Sequence, residues 1–212
     1  MAASIREFLT AALAAATLCC AIAVAAAPKI DKQLPIDFSA QPIDIDYKNH
    51  VVVAHKVKIT QGNLTLTADQ GQVNGSMQTA FDDSRWVFKG AVKVTMDEGV
   101  LNSDEAQVTF VDKALVKAVA TGKPATFQQK IEKTDRLAKG HAENIEYDVP
   151  KNLVLLSKDA WLTDGQNEVK GDSLKYNMTA QTIAAEGSEA TNQRVHIIYT
   201  PPPKPPSNPQ NP

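Results

Sequence analysis

The chain has 212 residues, and its 22 lysine and arginine residues nearly balance 24 aspartate and glutamate residues, which leaves a formal net charge of −2. This balance excludes the strongly basic character that is typical of proteins that bind nucleic acid, so no nucleic-acid partner is expected. The two cysteines are Cys19 and Cys20, so no disulfide, thiol nucleophile or cysteine-bound metal is expected in the chain that follows them.

Residues 1–27 are predicted to form a secretory signal peptide that is removed from the mature protein. Arg6 supplies the positive charge that precedes a long run rich in alanine and leucine, and the run ends in small residues. Cleavage is expected between Ala25 and Ala27. A permanent membrane anchor is the alternative, but the alanine-rich run is only weakly hydrophobic, which favours a removed peptide.

The mature region contains a repeat made of a short strand, a turn with glycine and an acidic residue. The strand occurs as Val57–Thr60, Val92–Thr95 and Ala160–Thr163, and a distorted copy runs from Ala125 to Gln128. The acidic positions that follow these strands are Asp69, Asp104, Glu143 and Asp172. A fixed period with alternating apolar residues is typical of stacked β-units, so we expect roughly four repeats.

Alternation of apolar and polar residues continues along the whole mature region, and no helical period is found. It predicts an all-β domain of about 14–16 short antiparallel strands over residues 28–200. The inward faces of successive strands must cover one another, so we expect two curved sheets, or one sheet folded over on itself, around a continuous apolar interior. The segment 201–212 is rich in proline and is predicted to be a disordered tail.

The repeated acidic residues could suggest catalysis or calcium binding. We interpret them instead as residues at strand starts and sheet corners, where a carboxylate accepts hydrogen bonds from nearby backbone N–H groups. The dense aspartate and glycine array of calcium-binding repeats is missing, and the histidines do not have the spacing of metal ligands. We therefore identify no catalytic residue, no metal ligand and no cofactor, and we expect no enzymatic activity.

Several short motifs resemble those of a known family. They are Gly122–Phe127 (GKPATF), Gly140–Ala142 (GHA) with Tyr147, and Gly171-Asp172 with Tyr176, in this order after Gln41–Ile43. In these residues the chain is similar to the OstA-like family of periplasmic lipopolysaccharide-transport proteins, and the resemblance covers about residues 40–199. One departure is the stretch 51–84, which looks like an additional or expanded repeat.

The resemblance implies an open, twisted β-jellyroll, also called a β-taco, that works in the periplasm. Its apolar interior would bind the lipid A part of lipopolysaccharide. Its molecules would join head to tail with one another, with an LptC-like inner-membrane partner and with an LptD-like outer-membrane partner.

Two sets of site residues follow from the inward alternation and the resemblance. The residues that we expect to contact lipid are Ile43, Ile45, Val57, Ile59, Val92, Val94, Phe127, Tyr147, Leu174 and Tyr176. The edge strands that we expect to receive a partner's strand contain Ile43, Ile45, Val195 and Ile197. Trp161 alternates outward from Ala160 and Leu162, so it is predicted to be a surface aromatic.

A second interpretation of the same residues stays open. The interior could be filled by the protein's own side chains, which would suit a structural or polymer-binding module without a lipid ligand.

Overall fold

The structure of the protein is a computed structural model that describes residues 34–74, 83–96, 99–112, 114–131, 136–177, 182–188 and 194–201, with the single residues 180 and 192. The predicted signal peptide and all but the first residue of the predicted proline-rich tail lie outside these residues. Within them, no helix is long and apolar enough to span a membrane.

The described residues form one antiparallel sheet of 12 strands. The strands are β1 Asp37–Ser39, β2 Ile43–Asp46, β3 Val51–Gln61, β4 Leu64–Asn74, β5 Ser84–Met96, β6 Gly99–Val111, β7 Ala114–Lys130, β8 Leu137–Asp148, β9 Leu153–Thr163, β10 Glu168–Asn177, β11 Thr182–Glu186 and β12 His196–Ile198. Strands β3 to β10 pair in sequence order. The predicted all-β, open and antiparallel fold is therefore confirmed.

The long strands are interrupted near their middles by irregularities that line up across the sheet. From the β4–β5 pair to the β9–β10 pair, each register shifts near mid-strand, for example between Thr67 and Gln70 and between Asn102 and Glu105. The β6–β7 register shifts a second time between Thr109 and Phe110. Lys56 in β3 has a φ of 48° and Ala91 in β5 a φ of 43°. Because a bulge bends its strand, this line of bulges folds the sheet along a crease.

The crease divides the sheet into two leaves. Leaf 1 comprises residues 43–46, 51–55, 70–74, 84–89, 105–111, 114–121, 144–148, 153–157, 173–177 and 182–186. Leaf 2 comprises residues 37–39, 57–61, 64–68, 92–96, 99–103, 125–130, 137–142, 160–163, 168–171 and 196–198.

The two leaves face each other. Phe38 of leaf 2 packs on Trp86 of leaf 1, with ring centroids 5.5 Å apart and ring planes inclined by 46°. A β-carbon at Gly71 in leaf 1 would lie 3.1 Å from the side chain of Val57 in leaf 2. The fold is therefore one sheet folded over an apolar interior, which is the second of the two arrangements expected from the alternation.

Within the described part of the chain, the strands are fewer and longer than predicted. In β3, Val52 and Ala54 are buried on the interior face, and after the bulge at Lys56 the buried positions shift to Val57 and Ile59. This slip of one residue makes a single long strand look like two short ones in the sequence.

The repeated acidic residues do not lie at strand starts, so that part of the prediction was wrong. Asp69, Asp104, Glu143 and Asp172 each fall inside the mid-strand register shift of β4, β6, β8 and β10. They are corner residues in the sense that they mark the crease. The carboxylate of Asp69 contacts Gly90, whose φ is +75°. A bulge turns these side chains away from the ladder, so an acidic residue there avoids the apolar interior.

Candidate functional site

A row of apolar residues crosses the interior face of leaf 2 from one edge of the sheet to the other. Each residue stands directly opposite the next in the strand register. In sheet order the row contains Phe38, Ile59, Leu66, Val94, Leu101, Phe127, Gly140, Leu162, Val169 and Ile197. Opposite residues of an antiparallel pair share one face, so this row, which we call the leaf 2 row, forms a continuous apolar surface.

Leaf 1 carries two apolar rows on its interior face. The inner row lies nearer the crease and contains Ile43, Ala54, Gly71, Phe88, Ala106, Ala120, Ile145, Leu156, Leu174 and Ala185. The rim row lies one step farther out and contains Ile45, Val52, Val73, Trp86, Val108, Ala118, Tyr147, Val154, Tyr176 and Ile183. The three rows together form the walls of a trough.

Small side chains line the bottom of the trough, where the leaves meet. This crease row contains Val57, Ala68, Val92, Ser103, Ala125, Ala142, Ala160 and Gly171. Small residues allow two sheet segments to approach closely. The hydroxyl of Ser103 is buried and has no hydrogen-bond partner among the described residues.

The trough is filled toward both edges of the sheet and open between them. One core contains Trp86 and Val52, which are fully buried, and a second core contains Leu156 and Leu174. Between the two cores the interior side chains are only half-buried. These residues, which we call the central mouth, are Val94, Leu101, Phe127, Val108, Ala118, Tyr147 and Val154.

All ten predicted lipid-contact residues lie on the interior face, but their exposure differs. Five are buried in the walls or crease: Val57, Ile59, Val92, Leu174 and Tyr176. Val94, Phe127 and Tyr147 are half-buried in the central mouth. Ile43 and Ile45 are 41% and 43% exposed because they lie on the edge strand β2. Only the residues of the mouth and the edge have surface free for a ligand.

Two functional features escaped the sequence prediction. Phe38 and Trp86 form the contact that closes the leaves beside β1, and Leu101 completes the leaf 2 row across the mouth. Gly99, Leu101 and Ser103 occupy every second position of β6 and therefore share one face. The sequence signal for Leu101 was thus a lone apolar residue at an inward position of a mostly polar segment. The pairing of β1 with β3 depends on a long-range contact that no local pattern reveals.

Each edge of the sheet is built from two short strands, one for each leaf. At one edge β2 pairs with the first half of β3, and β1 pairs with its second half. At the other edge β11 and β12 divide β10 in the same way. The outer side of each short strand has no partner strand within the described part of the chain.

The prediction for the last strand requires a correction. Val195 is half-buried but lies outside β12, which contains only His196–Ile198. The strand is short because only Glu168–Lys170 of β10 is available to it. The crease begins at Gly171, and the turn between β9 and β10 ends just before Glu168. Ile197 points into the trough opposite Val169 and is 64% exposed.

A hydrogen-bonded turn holds the rim of leaf 2 between β9 and β10. Asp164 is buried and accepts hydrogen bonds from the backbone N–H groups of Gln166 and Asn167, at 2.9 and 2.7 Å. Arg136, which precedes β8, donates to the same carboxylate at 3.3 Å. Burial alone would raise the pKa of Asp164, but these hydrogen bonds and the charge of Arg136 outweigh it and lower the pKa.

The titratable groups that reach the interior stay neutral at ordinary pH. Burial raises the pKa of the Tyr147 and Tyr176 hydroxyls above the usual value for tyrosine. The Tyr147 hydroxyl lies 3.5 Å from the side-chain oxygen of Asn152, at the rim of the trough. The three rows contain no charged residue, so the walls of the trough suit an apolar ligand. Trp161, predicted to point outward, does so and stacks on His141 with ring centroids 5.2 Å apart.

The fold and the three apolar rows define an open β-jellyroll that encloses an apolar trough. Residues 72–182 match the family model described as LptA/(LptD N-terminal domain) LPS transport protein. This match covers more than half of the chain, and the protein therefore belongs to that family, as its motifs indicated.

Known relatives agree with this assignment. The chain is 31% identical over 116 residues to the lipopolysaccharide export system protein LptA of Escherichia coli K12, which is 54% of this chain and 61% of that protein. The matched region thus spans less than two thirds of that relative. The chain is 27% identical over 171 residues to LptH of Pseudomonas aeruginosa, covering 79% of this chain and 78% of LptH.

A solved structure shows the same fold. It is the crystal structure of Pseudomonas aeruginosa LptH, described as the LptA homologous periplasmic component of the lipopolysaccharide transport device. The likeness has a TM-score of 0.51 at 20% identity and covers 82% of this chain and 100% of that one. At 20% sequence identity, this structural similarity supports the fold and nothing further.

Proposed function

We propose that this protein carries lipopolysaccharide through the periplasm and shelters the acyl chains of lipid A in its trough. Membership of the transport family and the apolar walls support this role. Each methylene group kept from water contributes about 0.8 kcal/mol, so a free acyl chain cannot cross an aqueous compartment readily. A protein that covers the chains removes most of this cost and needs no catalytic group.

The observation that carries the proposal is the continuity of the leaf 2 row. It runs from Phe38 at one edge of the sheet to Ile197 at the other without a polar residue. Its middle is half-buried at Val94, Leu101 and Phe127, where the wall of leaf 1 is half-buried as well. The acyl chains enter at this central mouth, and the sugars and phosphates stay in water outside it.

Cross-linking from the interior tests this function. A photo-reactive residue at Phe127 or Tyr147 is expected to capture lipopolysaccharide in cells. Thr126 and Glu146 are matched controls, because each is the chain neighbour of a test residue and points outward. Capture from the controls and not from Phe127 or Tyr147 would overturn the lipid-carrying role.

The two edges of the sheet supply docking surfaces for partners. The short strands β2 and β12 expose backbone groups and apolar side chains, with Ile43 41% and Ile197 64% exposed. A strand of another molecule can extend a sheet at such an edge. Contacts between unlike edges are heterologous and build a filament, so copies of this chain join head to tail. The same edges fit an LptC-like partner on the inner membrane and an LptD-like partner on the outer membrane.

Cysteine cross-linking tests the head-to-tail contact. A protein with Ile43→Cys and Ile197→Cys is expected to form a ladder of disulfide-linked oligomers, because the two edges meet between copies. A protein with Lys93→Cys and Ile197→Cys is the control, since Lys93 lies on the outer face of leaf 2. A ladder in both proteins, or only dimers linked through Ile197→Cys, would contradict the heterologous contact.

A second role is favoured by the sealed core around Trp86. Trp86 and Val52 are fully buried and Phe88 is 2% exposed, so this part of the interior holds no ligand. If the central mouth closes in the same way in solution, the protein is a structural module. Delipidated protein that takes up no apolar dye would favour this role, whereas dye uptake that Phe127→Trp blocks would favour lipid carriage.

A further inference from the structure

The outer face of leaf 2 holds a pocket of about 680 Å³ that is separate from the trough. Its floor is a row of directly opposed side chains on four strands, His141 of β8, Trp161 of β9, Lys170 of β10 and His196 of β12. These residues alternate with the leaf 2 row and therefore point away from the interior. The volume lies in the range that small-molecule sites usually have.

Two described residues that precede β12 form one wall of this pocket. Asn192 and Arg194 line it, and Asn192 adopts a left-handed conformation with a φ of 51°. The opposite wall is made by Glu168 and Ile198, which stand opposite each other in the register. The pocket thus combines one indole ring, two imidazole rings, one aliphatic side chain and several charged or polar groups.

The acidic groups near the pocket are already engaged. Glu168 accepts a hydrogen bond from the indole N–H of Trp161 at 3.1 Å. Asp159 contacts Lys170 at 3.0 Å and His141 at 3.8 Å. Arg194 is exposed and makes no ion pair or hydrogen bond with another described residue. Of the lysine and arginine side chains that line the pocket, Arg194 is the one without an ion pair to another described residue, so its guanidinium can bind an anionic ligand.

We propose that this outer pocket binds a sugar phosphate, with the phosphate on Arg194 and the sugar ring against Trp161. A guanidinium presents a planar fork of donors that matches two phosphate oxygens. The amphipathic indole offers a flat apolar surface, and Asn192 and the imidazoles of His141 and His196 surround it with groups for sugar hydroxyls. Free sugar phosphates and the phosphorylated headgroup of a lipopolysaccharide share this chemistry.

Titration followed by the two indole N–H signals in nuclear magnetic resonance spectra tests the site. The Trp161 signal is expected to move on addition of glucose 6-phosphate, while the Trp86 signal in the sealed core stays fixed. Arg194→Ala is expected to weaken the affinity roughly tenfold or more, because it removes a charge-assisted hydrogen-bonded pair. Lys93→Ala is the matched control, since it removes a cation from the same outer face at a distance from the pocket.

The outcomes separate the possible ligands. Equal affinity for inorganic phosphate and glucose 6-phosphate would overturn the position of the sugar ring. No movement of the Trp161 signal at about 10 mM ligand, or movement unchanged by Arg194→Ala, would overturn the site, since weaker binding lies beyond the millimolar range. Deacylated lipopolysaccharide has no chains for the trough, so tighter binding than glucose 6-phosphate identifies the headgroup as the source. Lipid capture at Phe127 reports on the trough and is independent of these results.

Discussion

The ring of Phe127 lies over Gly140 on the neighbouring strand and occupies the space that a β-carbon at position 140 would need. Phe88 covers Gly71 in the same way, with ring atoms 3.1 Å from the position of a β-carbon there. An aromatic side chain that covers a cross-strand glycine is a known means of stabilising a sheet. The first pair faces the central mouth, whereas the second lies in the sealed core.

Gly140→Ala is expected to push the Phe127 ring into the trough. The added methyl group cannot share the space with the ring, and overpacking of this kind costs about 1–3 kcal/mol. We expect less lipopolysaccharide captured from Tyr147, because the displaced ring narrows the mouth. The measurements are the free energy of unfolding and the yield of cross-linked lipid.

Gly71→Ala is the control for this prediction. It brings a β-carbon to 3.1 Å from Phe88 and Val57 in the sealed core, a milder overlap than at Gly140, so it should cost less stability than Gly140→Ala and leave lipid capture unchanged. Equal loss of lipid capture in both variants would show that stability and not the width of the mouth decides uptake.

Alternation in the sequence was sufficient to place side chains on the interior face, because the face of a strand residue depends only on its position along the strand. It could not give the strand lengths, since the alternation slips at the crease between Ala54 and Val57. The sequence also could not show which interior residues are sealed. That depends on contacts between distant strands, such as Phe38 with Trp86.

The edges were only partly predictable for the same reason. Ile43 and Ile197 were placed correctly on edge strands, but Val195 was not, because the length of β12 depends on how much of β10 is free. The sequence also did not show that Asp69, Asp104, Glu143 and Asp172 lie at the crease. A period of acidic residues marks a repeated corner but does not say whether the corner is a turn or a bulge.

Phe38→Ala is expected to loosen the contact between the leaves beside β1. Trp86 loses one of the two rings packed on it, the other being Phe88, and its fluorescence should shift to longer wavelength in a Trp161→Phe background. Phe38 is half-buried, so we expect a loss of about 1–3 kcal/mol, below the usual cost of deleting a fully buried ring. Ser39→Ala removes an outward side chain of the same strand and should leave the emission unchanged. It also removes an exposed hydrogen bond of 3.4 Å to the Lys58 carbonyl, so stability should fall by less than about 1 kcal/mol.

Asp164 is expected to make the rim of leaf 2 sensitive to acid. Its pKa is lowered in the folded protein, so its contribution is present above the pKa of the unfolded chain, about 3.9, and is lost as pH falls through the lower folded value. Asp164→Asn should unfold more easily at pH 7, by about 1–3 kcal/mol, because the turn loses the charged carboxylate that accepts hydrogen bonds from Gln166, Asn167 and Arg136.

The pH profile provides the control for Asp164. Stability of the Asn variant should fall less steeply below about pH 4 than that of the natural protein. Lys151→Ala removes the exposed partner of Asp148 and should change stability at pH 7 by less than about 1 kcal/mol. Parallel acid profiles for the natural protein and Asp164→Asn would exclude this carboxylate as the sensitive group.

Two adjacent substitutions at the crease are expected to have opposite effects on stability. Gly90 has a φ of +75° and contacts the Asp69 carboxylate, so Gly90→Ala forces both a strained backbone and a clash. Ala91 has a φ of 43° although it carries a β-carbon, so Ala91→Gly relieves strain. A left-handed residue with a side chain costs roughly 1–2 kcal/mol, and the clash adds to this in Gly90→Ala.

Urea unfolding measures the change in stability of both variants. Ala91→Gly should raise the midpoint, although added freedom of the unfolded chain offsets part of the gain. If both variants lowered the midpoint equally, the left-handed backbone at Ala91 would not be a source of strain.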